Sequence, residues 1–231
     1  MLAIDLGASS GRGIVGKFDG QKISLEEVHR FPNGPVNLNG SLYWDILRTF
    51  GEIKSALHNC ALSDNRDIAS MGIDTWGVDY GLLDGNGKLL ENPYCYRDER
   101  TTKGIMEELY RVIPKEELYR ITGTQFLNFN TIFQLYTLVK ERPEALENAK
   151  DLLFIPDLLK YFLTGVKQTE YTIASTSQML NAAERNWAYD VTDKLGIPRR
   201  LLGQIVNPGS ICGNLLPQVR EEIGGIDPKI M

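Results

Sequence analysis

The first residues with chemical potential stand at the amino-terminal end, where an apolar run closes on a carboxylate, Asp5. A carboxylate at a strand end can hold Mg²⁺, usually through water. Small residues with free backbone N–H groups can wrap a phosphate, because nothing bulky blocks its approach. The pattern lacks the lysine of a P-loop, and an ordinary tight hairpin remains the alternative reading. The residues that follow and could contact phosphate are Ala8, Ser9, Ser10, Gly11 and Arg12.

A second apolar run, at residues 68–73, also ends in a carboxylate, Asp74. Strand ends on one side of a sheet line up, so Asp5 and Asp74 are expected to face one cleft. Such a pair predicts a site for hydrated Mg²⁺ beside a nucleotide. The alternative is that Asp74 only caps or turns the chain.

The residues directly after Asp74 have the side chains that a polyhydroxylated sugar needs. Trp76 offers an apolar plate, and Gly77 lets a ligand approach the backbone. Thr75 and Asp79 offer groups that bind hydroxyls. A sugar needs a flat face to stack on and polar groups for its hydroxyls, so this segment predicts a sugar site. The alternative is a core tryptophan beside a bulge glycine.

Three further segments could contribute to the same cleft. Residues 96–101 are densely charged, residues 124–131 interleave aromatic side chains with amides, and residues 170–176 are rich in small and hydroxyl residues. Each of them also has the composition of a helix start, where such side chains cap the backbone. If they lie at the cleft, Arg97 and Arg100 could bridge its carboxylates, residues 124–131 could stack on and hydrogen-bond a sugar, and residues 170–176 could pack closely at its wall.

Composition excludes several classes of function for this chain of 231 residues. The net charge of −5 and the absence of a long basic run argue against nucleic-acid and anionic membrane partners. No apolar stretch of about 18 residues and no signal peptide is present, which predicts a cytoplasmic protein. His29 and His58 lack metal-ligand spacing, so neither a zinc site nor a histidine-based triad is expected. The three cysteines, expected as free and mostly buried thiols, are Cys60, Cys95 and Cys212.

Hydrophobic periodicity predicts a sheet unit that carries a helical insertion. The sheet part begins with a three-stranded meander, continues with a helix at residues 45–58, and includes further strands at residues 68–73, 80–83 and 88–90. The insertion lies within about residues 101–204, and a last strand is expected at residues 210–215. The predicted meander strands are residues 2–6, 13–18 and 23–31. The predicted helices of the later part are residues 101–112, 115–121, 132–140, 143–149, 156–163, 189–195 and 198–202.

In this order, the motifs resemble those of the FGGY carbohydrate kinases over essentially the whole chain. The Gly-Ala-Ser-Ser-Gly-Arg loop and the Gly-Ile-Asp-Thr-Trp-Gly-Val-Asp segment are most similar to family members that act on L-rhamnulose. The segments that carry the resemblance are residues 5–12, 72–79, 96–101, 125–134, 156–159, 163–165, 170–172 and 174–176.

The resemblance implies an α/β domain of the actin/hexokinase-like (ribonuclease H-like) type, with a mixed sheet flanked by helices. It implies ATP and Mg²⁺ as cofactors and L-rhamnulose as substrate, with residues 8–12 at the ATP phosphates, Asp5 at the metal and Gly77 at the ketose. Residues 1–231 would form the first of two domains. The adenine pocket and the general-base aspartate would lie in a second domain outside this chain, which alone would be inactive. Two alternatives stay open: a family kinase for another ketose or polyol, and a non-catalytic sugar- or nucleotide-binding module.

Overall fold

The computed structural model describes residues 1–102 and 104–231, and within them the chain forms thirteen strands and nine α-helices. The strands are β1 (Leu2–Leu6), β2 (Ser10–Phe18), β3 (Ile23–Pro32), β4 (Pro35–Leu38), β5 (Ser41–Trp44), β6 (Ser70–Thr75), β7 (Tyr80–Leu83), β8 (Asp151–Phe154), β9 (Thr169–Glu170), β10 (Leu180–Asn181), β11 (Asn186–Trp187), β12 (Ile205–Val206) and β13 (Lys229–Ile230). The helices are α1 (Ile46–Ala61), α2 (Ile105–Val112), α3 (Lys115–Thr122), α4 (Thr131–Glu141), α5 (Pro143–Asn148), α6 (Ile155–Thr164), α7 (Tyr171–Ser175), α8 (Tyr189–Lys194) and α9 (Pro217–Glu222).

A five-stranded mixed sheet with the order β13-β6-β1-β2-β3 forms the centre of the fold. The first three strands form the predicted antiparallel meander, whereas β6 and β13 run parallel to β1. The turn between β2 and β3 is closed by Asp19, whose carboxylate accepts hydrogen bonds from the backbone N–H groups of Gln21 and Lys22. This local hydrogen bonding explains why the hairpin was recognisable from sequence.

Helix α1 covers one face of the sheet and forms the centre of the first core, here called the sheet cluster. Its N-terminus is capped by Asp45, which accepts a hydrogen bond from the backbone N–H of Arg48. The helix approaches β2 so closely that a Cβ atom at Gly13 would lie 2.9 Å from the Cβ of Ala56. Buried members of the sheet cluster include Leu2, Ile4, Leu6, Ile53, Leu57, Met71, Leu158, Leu159, Val219 and Ile223.

A second core, here called the helical cluster, is built mainly by helices α2 to α5 and α8. The antiparallel pair β7–β8 lies between the two clusters. Alternate side chains of a strand point to opposite faces, so this pair contributes side chains to both clusters. Leu83 and Leu153 belong to the sheet cluster, whereas Leu82 and Phe154 belong to the helical cluster. Other buried members of the helical cluster are Leu109, Leu118, Phe133, Leu135, Leu146 and Val191.

Three predicted details of the fold are corrected by the structure. Residues 210–215 do not form a strand: Gly213 has a φ of +144°, and only an isolated bridge joins it to Ile230. Residues 88–90 likewise contribute only the isolated bridge between Leu89 and Leu83. No strand was predicted between residues 31 and 45, where β4 and β5 form a hairpin.

Residues 101–204 contain helices α2 to α8 and strand β8. Two of these elements, β8 and α6, contribute side chains to the sheet cluster. The helical region is therefore connected to the sheet through its middle as well as through its ends. None of the helices in the described ranges is long and apolar enough to span a membrane.

Candidate functional site

Two loops that carry several of the predicted site residues leave the central sheet at the same edge, whereas the predicted phosphate residues Ser10, Gly11 and Arg12 lie at the start of β2. β1 and β6 are neighbouring parallel strands, and their last residues, Leu6 and Thr75, are paired. The first loop, residues 7–9, follows β1, and the second loop, residues 76–79, follows β6. Ligands of open α/β sheets bind at the carboxyl ends of the strands, so this edge is the candidate site.

The two predicted metal-binding carboxylates lie side by side just before these loops. Asp5 and Asp74 are register partners, and both line a cavity of about 450 Å³ on the exposed face of the sheet. Arg12 of β2 forms an ion pair with Asp5. No group of three or more metal-ligating side chains occurs in residues 1–102 and 104–231. Two adjacent carboxylates nevertheless fit Mg²⁺, which keeps several waters and needs only one or two protein carboxylates beside phosphate oxygens.

The first loop is held in place by hydrogen bonds from a residue just beyond β3. The side-chain amide of Asn33 donates to the carbonyl of Gly7 at 2.8 Å, and its backbone N–H donates to the carbonyl of Ser9 at 3.0 Å. Within the loop, the N–H of Gly7 donates to the carbonyl of Ser10 at 2.9 Å. Ser9 itself is exposed, as a residue that meets a phosphate must be. A turn fixed in this way is preorganised for a ligand.

Gly11, predicted to contact phosphate, has a packing function in the structure. It is buried in β2 opposite Phe31 of β3, and the phenyl ring covers it. A Cβ atom at Gly11 would lie 2.2 Å from Cζ of Phe31. A side chain at position 11 is therefore excluded by Phe31, independently of any ligand.

We expect Gly11→Ala to lower the melting temperature by about 5–10 °C. The added methyl group must displace the buried ring of Phe31, and overpacking of this kind costs about 1–3 kcal/mol. In a domain of this size, each kcal/mol corresponds to about 2–4 °C. The matched control is Gly51→Ala in α1, where a Cβ atom meets nothing within 4 Å and where alanine favours the helix. Calorimetry that shows equal melting temperatures for both variants would contradict the packing function.

The second loop is packed against a residue about a hundred positions later in the chain. A Cβ atom at Gly77 would lie 3.0 Å from Cγ2 of Thr176 and 3.1 Å from its Oγ1. The hydroxyl of Thr176 also accepts a hydrogen bond from the backbone N–H of Val78 at 3.0 Å. The absence of a side chain at Gly77 therefore lets the second loop approach Thr176.

Val78 has a backbone conformation that is rare for a β-branched residue, with φ at +66°. Such a conformation costs free energy and persists only where the surroundings impose it. Here the carbonyl of Val78 accepts a hydrogen bond from Thr131 Oγ1 at 2.7 Å, while its N–H is bound to Thr176. The second loop is thus held in a strained conformation from both sides.

Asp79, expected from sequence to bind a sugar hydroxyl, is 1% exposed. Its carboxylate accepts hydrogen bonds from the side chains of Trp44, Trp76 and Gln134 and from the backbone N–H of Tyr96. Burial raises the pKa of the Asp79 carboxyl to about 6, although these hydrogen bonds act in the opposite direction. Direct contact between Asp79 and a sugar does not fit this arrangement, because the protein already surrounds the carboxylate.

A cavity of about 430 Å³, here called the aromatic cavity, opens beside the second loop. The indole of Trp76 stacks on that of Trp44 behind it, with ring centroids 4.0 Å apart. A wall of aromatic rings with a few amides is a suitable surface for a sugar. The residues that line this cavity are Trp76, Gly77, Val78, Tyr96, Thr124, Gln125, Leu127, Phe129, Asn130 and Thr176.

A second cavity of about 420 Å³, here called the polar cavity, lies on the other side of Gly77. Asp74, Thr75 and Glu170 are among its lining residues. Lys160 also lines it and forms a buried ion pair with Asp157, with 2.9 Å between Nζ and Oδ1. The structure thus divides the predicted sugar-binding residues: Trp76 lines the aromatic cavity, Thr75 lines the polar cavity, and Gly77 lines both.

Several residues that shape the site could not be identified from the sequence as parts of it. Trp44 reaches the second loop from β5 and lay in no candidate segment, whereas Thr176 and Gln134 lay in segments that the sequence had singled out without indicating their contacts. Segments 124–131 and 170–176 did carry a composition signal, and both contribute to the aromatic cavity. Asn33 was not singled out from the sequence, although it holds the first loop.

Comparison with known proteins extends these observations. The model of the N-terminal domain of the FGGY family of carbohydrate kinases matches residues 1–231. A rhamnulokinase from Oceanobacillus iheyensis is 45% identical over 223 residues, which cover 96% of this chain and 47% of that protein. A rhamnulokinase from Bacteroides thetaiotaomicron is 44% identical, with 96% of this chain and 46% of that protein covered. The chain spans about half the length of the curated relatives it matches.

Solved structures show the same fold at lower identity. The ligand-bound xylulose kinase from Lactobacillus acidophilus has a TM-score of 0.87 and 19% identity, and the match covers 100% of this chain and 46% of that one. The Plasmodium falciparum glycerol kinase with ADP has a TM-score of 0.81 and 19% identity, covering 100% and 47%. The expected actin/hexokinase-like fold is confirmed by these similarities. The chain belongs to the FGGY family of carbohydrate kinases.

Proposed function

We propose that this chain is the phosphate- and sugar-binding part of an ATP-dependent kinase that phosphorylates the 1-hydroxyl of L-rhamnulose. The observation that carries the proposal is the pairing of Leu6 with Thr75, because it makes the first and second loops leave the sheet at one edge. A phosphate-binding turn and a sugar-binding cavity at one edge are what a transfer between the two ligands requires. The rhamnulokinase names of relatives about 45% identical support L-rhamnulose as the substrate.

At the phosphate end, the first loop and the start of β2 would bind ATP through backbone N–H groups, with Arg12 close by. Asp5 and Asp74 would hold the water shell of Mg²⁺. When bound, the ion supplies positive charge that offsets the negative charge of the transferring phosphoryl group. Arg12 neutralises Asp5 in the structure described here, and it is also the side chain that could turn towards a phosphate.

At the sugar end, the aromatic cavity would hold the ketose against the ring of Trp76. Gly77 would let the sugar approach the backbone, while Gln125 and Asn130 offer amide groups for its hydroxyls. Thr75 would contribute from the side of the polar cavity. Asp79 would act behind this surface and not on it, since it is buried.

The acceptor hydroxyl must lose a proton as the phosphoryl group arrives. No carboxylate or histidine is among the residues described as lining the aromatic cavity. The family resemblance implies a general-base aspartate in a second domain outside residues 1–231, and we place the base there. Most of the acceleration would come from positioning and charge neutralisation, as in other phosphoryl transfers.

The test uses the protein expressed from the full reading frame that contains this chain, with ADP release as the measure of activity. We expect its kcat/KM for L-rhamnulose to be at least tenfold higher than its kcat/KM for other substrates. The panel includes L-fuculose, D-xylulose and glycerol, and ³¹P NMR identifies the product as the 1-phosphate. Residues 1–231 expressed alone serve as the comparison and should show no turnover, because general-base catalysis is worth about 10²–10⁴-fold.

Three results would count against the proposal, each in a different way. A higher kcat/KM with another ketose or polyol would favour a different family kinase. No ADP release with any substrate, together with sugar or ATP binding, would favour a non-catalytic binding module. Robust turnover by residues 1–231 alone would show that the general base lies within this chain.

A further inference from the structure

We propose that Asp79 is a positioning residue that holds the rings lining the aromatic cavity in place and thereby sets the affinity for the sugar. The proposal rests on the proposed function in one respect, namely that the aromatic cavity is the sugar site. It differs from the expectation for Asp79 as a direct sugar ligand, because the carboxylate is 1% exposed and does not line the cavity.

One oxygen of Asp79 contacts three aromatic residues. Oδ2 accepts a hydrogen bond from Nε1 of Trp44 at 2.6 Å, from Nε1 of Trp76 at 3.0 Å and from the backbone N–H of Tyr96 at 3.0 Å. Trp76 and Tyr96 line the cavity, and Trp44 stacks behind Trp76. A single acceptor therefore orients the indole of Trp76, holds Trp44 against it and anchors the backbone that carries the ring of Tyr96.

The other oxygen is linked through an amide to the backbone of Phe129, which carries the third ring of the wall. Oδ1 accepts a hydrogen bond from Nε2 of Gln134 at 3.0 Å, and the same nitrogen donates to the carbonyl of Phe129 at 2.8 Å. Phe129 lies beside Tyr96, with ring centroids 5.4 Å apart. The Oε1 atom of Gln134 accepts from Arg100, which fixes the orientation of the amide.

An ionised carboxylate suits this position better than any other side chain of its size. It only accepts hydrogen bonds, so each of the four donors around Asp79 meets an acceptor, three of them at Oδ2 and one at Oδ1. Asparagine has the same shape, but its NH₂ group would point at a donor, either an indole or the amide of Gln134. The amide of Gln134 cannot rotate to compensate without presenting its own NH₂ group to Arg100.

A sugar stacks well on an aromatic ring only if the ring is already in place. Side chains of a binding site are locked most effectively by packing and by hydrogen bonds from a supporting layer. In the present site, the supporting layer consists of Asp79, Gln134 and Trp44. Loss of the Asp79 acceptor would therefore weaken sugar binding without removing any group that contacts the sugar.

The test compares Asp79→Asn with wild type in the protein expressed from the full reading frame. The reaction rate of the wild type must first be shown to saturate with L-rhamnulose. If it does not saturate, that result refutes the proposed sugar site and not the positioning function of Asp79. For Asp79→Asn, we expect the KM for L-rhamnulose to rise about tenfold, with the KM for ATP within twofold and kcat within threefold. The indole N–H resonances of Trp44 and Trp76, assigned with Trp→Phe variants, should move upfield as their acceptor weakens.

Two controls separate positioning from general loss of structure. Thr192→Val removes another buried polar group, a hydroxyl that donates to the carbonyl of Tyr189 and lines neither the aromatic nor the polar cavity; it should lower the melting temperature and leave the sugar KM unchanged. Gln134→Met removes the amide between Asp79 and Phe129 without altering a residue that lines the cavity, and it should raise the sugar KM severalfold. This second variant keeps the test valid if Asp79→Asn does not fold.

A double-mutant cycle with Trp76→Phe distinguishes positioning from direct contact. If Asp79 acts through the wall, the effect of Asp79→Asn on the sugar KM should be clearly smaller once the indole N–H is gone, because the two changes share one interaction. Strictly additive effects would show that Asp79 does not act through the indole of Trp76 and would overturn the proposal. An unchanged sugar KM in Asp79→Asn with shifted indole resonances would overturn it as well.

Discussion

Asp5→Asn is expected to lower kcat by about a hundredfold while leaving the fold nearly unchanged. Asparagine keeps the shape of Asp5 but removes the charge that would face the hydrated Mg²⁺ beside Asp74. Loss of one preorganised electrostatic contact to a phosphoryl-transfer site costs about 10²–10³ in rate. The ion pair with Arg12 contributes little to stability, because its side chains are 40% and 39% exposed and such pairs are worth about 0–1 kcal/mol.

Measurement of kcat as a function of Mg²⁺ concentration checks this expectation, and Mn²⁺ binding in the presence of an ATP analogue gives a readout that does not depend on turnover. The control is Asp19→Asn in the turn between β2 and β3, where the side chain serves only local hydrogen bonds. Unchanged kinetics of Asp5→Asn at limiting Mg²⁺ would show that Asp5 serves the hairpin and not a metal.

Gly77→Val is expected to raise the KM for L-rhamnulose about a hundredfold, which corresponds to about 2.8 kcal/mol. The new side chain would occupy space between the aromatic and polar cavities and would press on Thr176. The KM for ATP should change less than threefold, because the first loop leaves a different strand. Initial rates with each substrate varied in turn measure both constants.

The contact between Gly77 and Thr176 requires its own control. Thr176→Ser removes the methyl group closest to the new side chain and keeps the hydroxyl that accepts from Val78. If Gly77→Val acts only by displacing Thr176, the double variant should recover sugar affinity and melting temperature together. If the side chain excludes the sugar, stability should improve in the double variant while the sugar KM stays high. Recovery of both would make Gly77 a packing residue.

Local patterns account for what was predictable in this chain. The meander, α1 and β6 follow from alternation and helical periodicity within short segments, and the turn at Asp19 follows from its own hydrogen bonds. The adjacency of Asp5 and Asp74 was predictable because both end apolar strands, and parallel strands align their ends. These inferences need no knowledge of distant contacts.

Contacts between distant segments account for most of what was missed. Nothing near Gly77 in the sequence indicates that Thr176 fills the space beside it. Asp79 is of a residue type that often binds ligands. It is a buried acceptor because Trp44, Tyr96 and Gln134, which lie far away in the sequence, donate hydrogen bonds to its carboxylate. Residues 210–215 are apolar enough for a strand, but only one bridge forms there, around Gly213.

The position of β7 and β8 between the two cores has a consequence for cooperativity of unfolding. The second loop leads directly into β7, whose side chains alternate between the sheet cluster and the helical cluster. Trp76 packs against the sheet cluster, whereas Thr176 follows a helix whose Ala174 lies in the helical cluster. A ligand held between Trp76 and Thr176 would bind only when both regions are folded, so it would suppress local opening of either one. Ligand binding in the aromatic cavity would thereby make the sheet cluster and the helical cluster unfold more cooperatively.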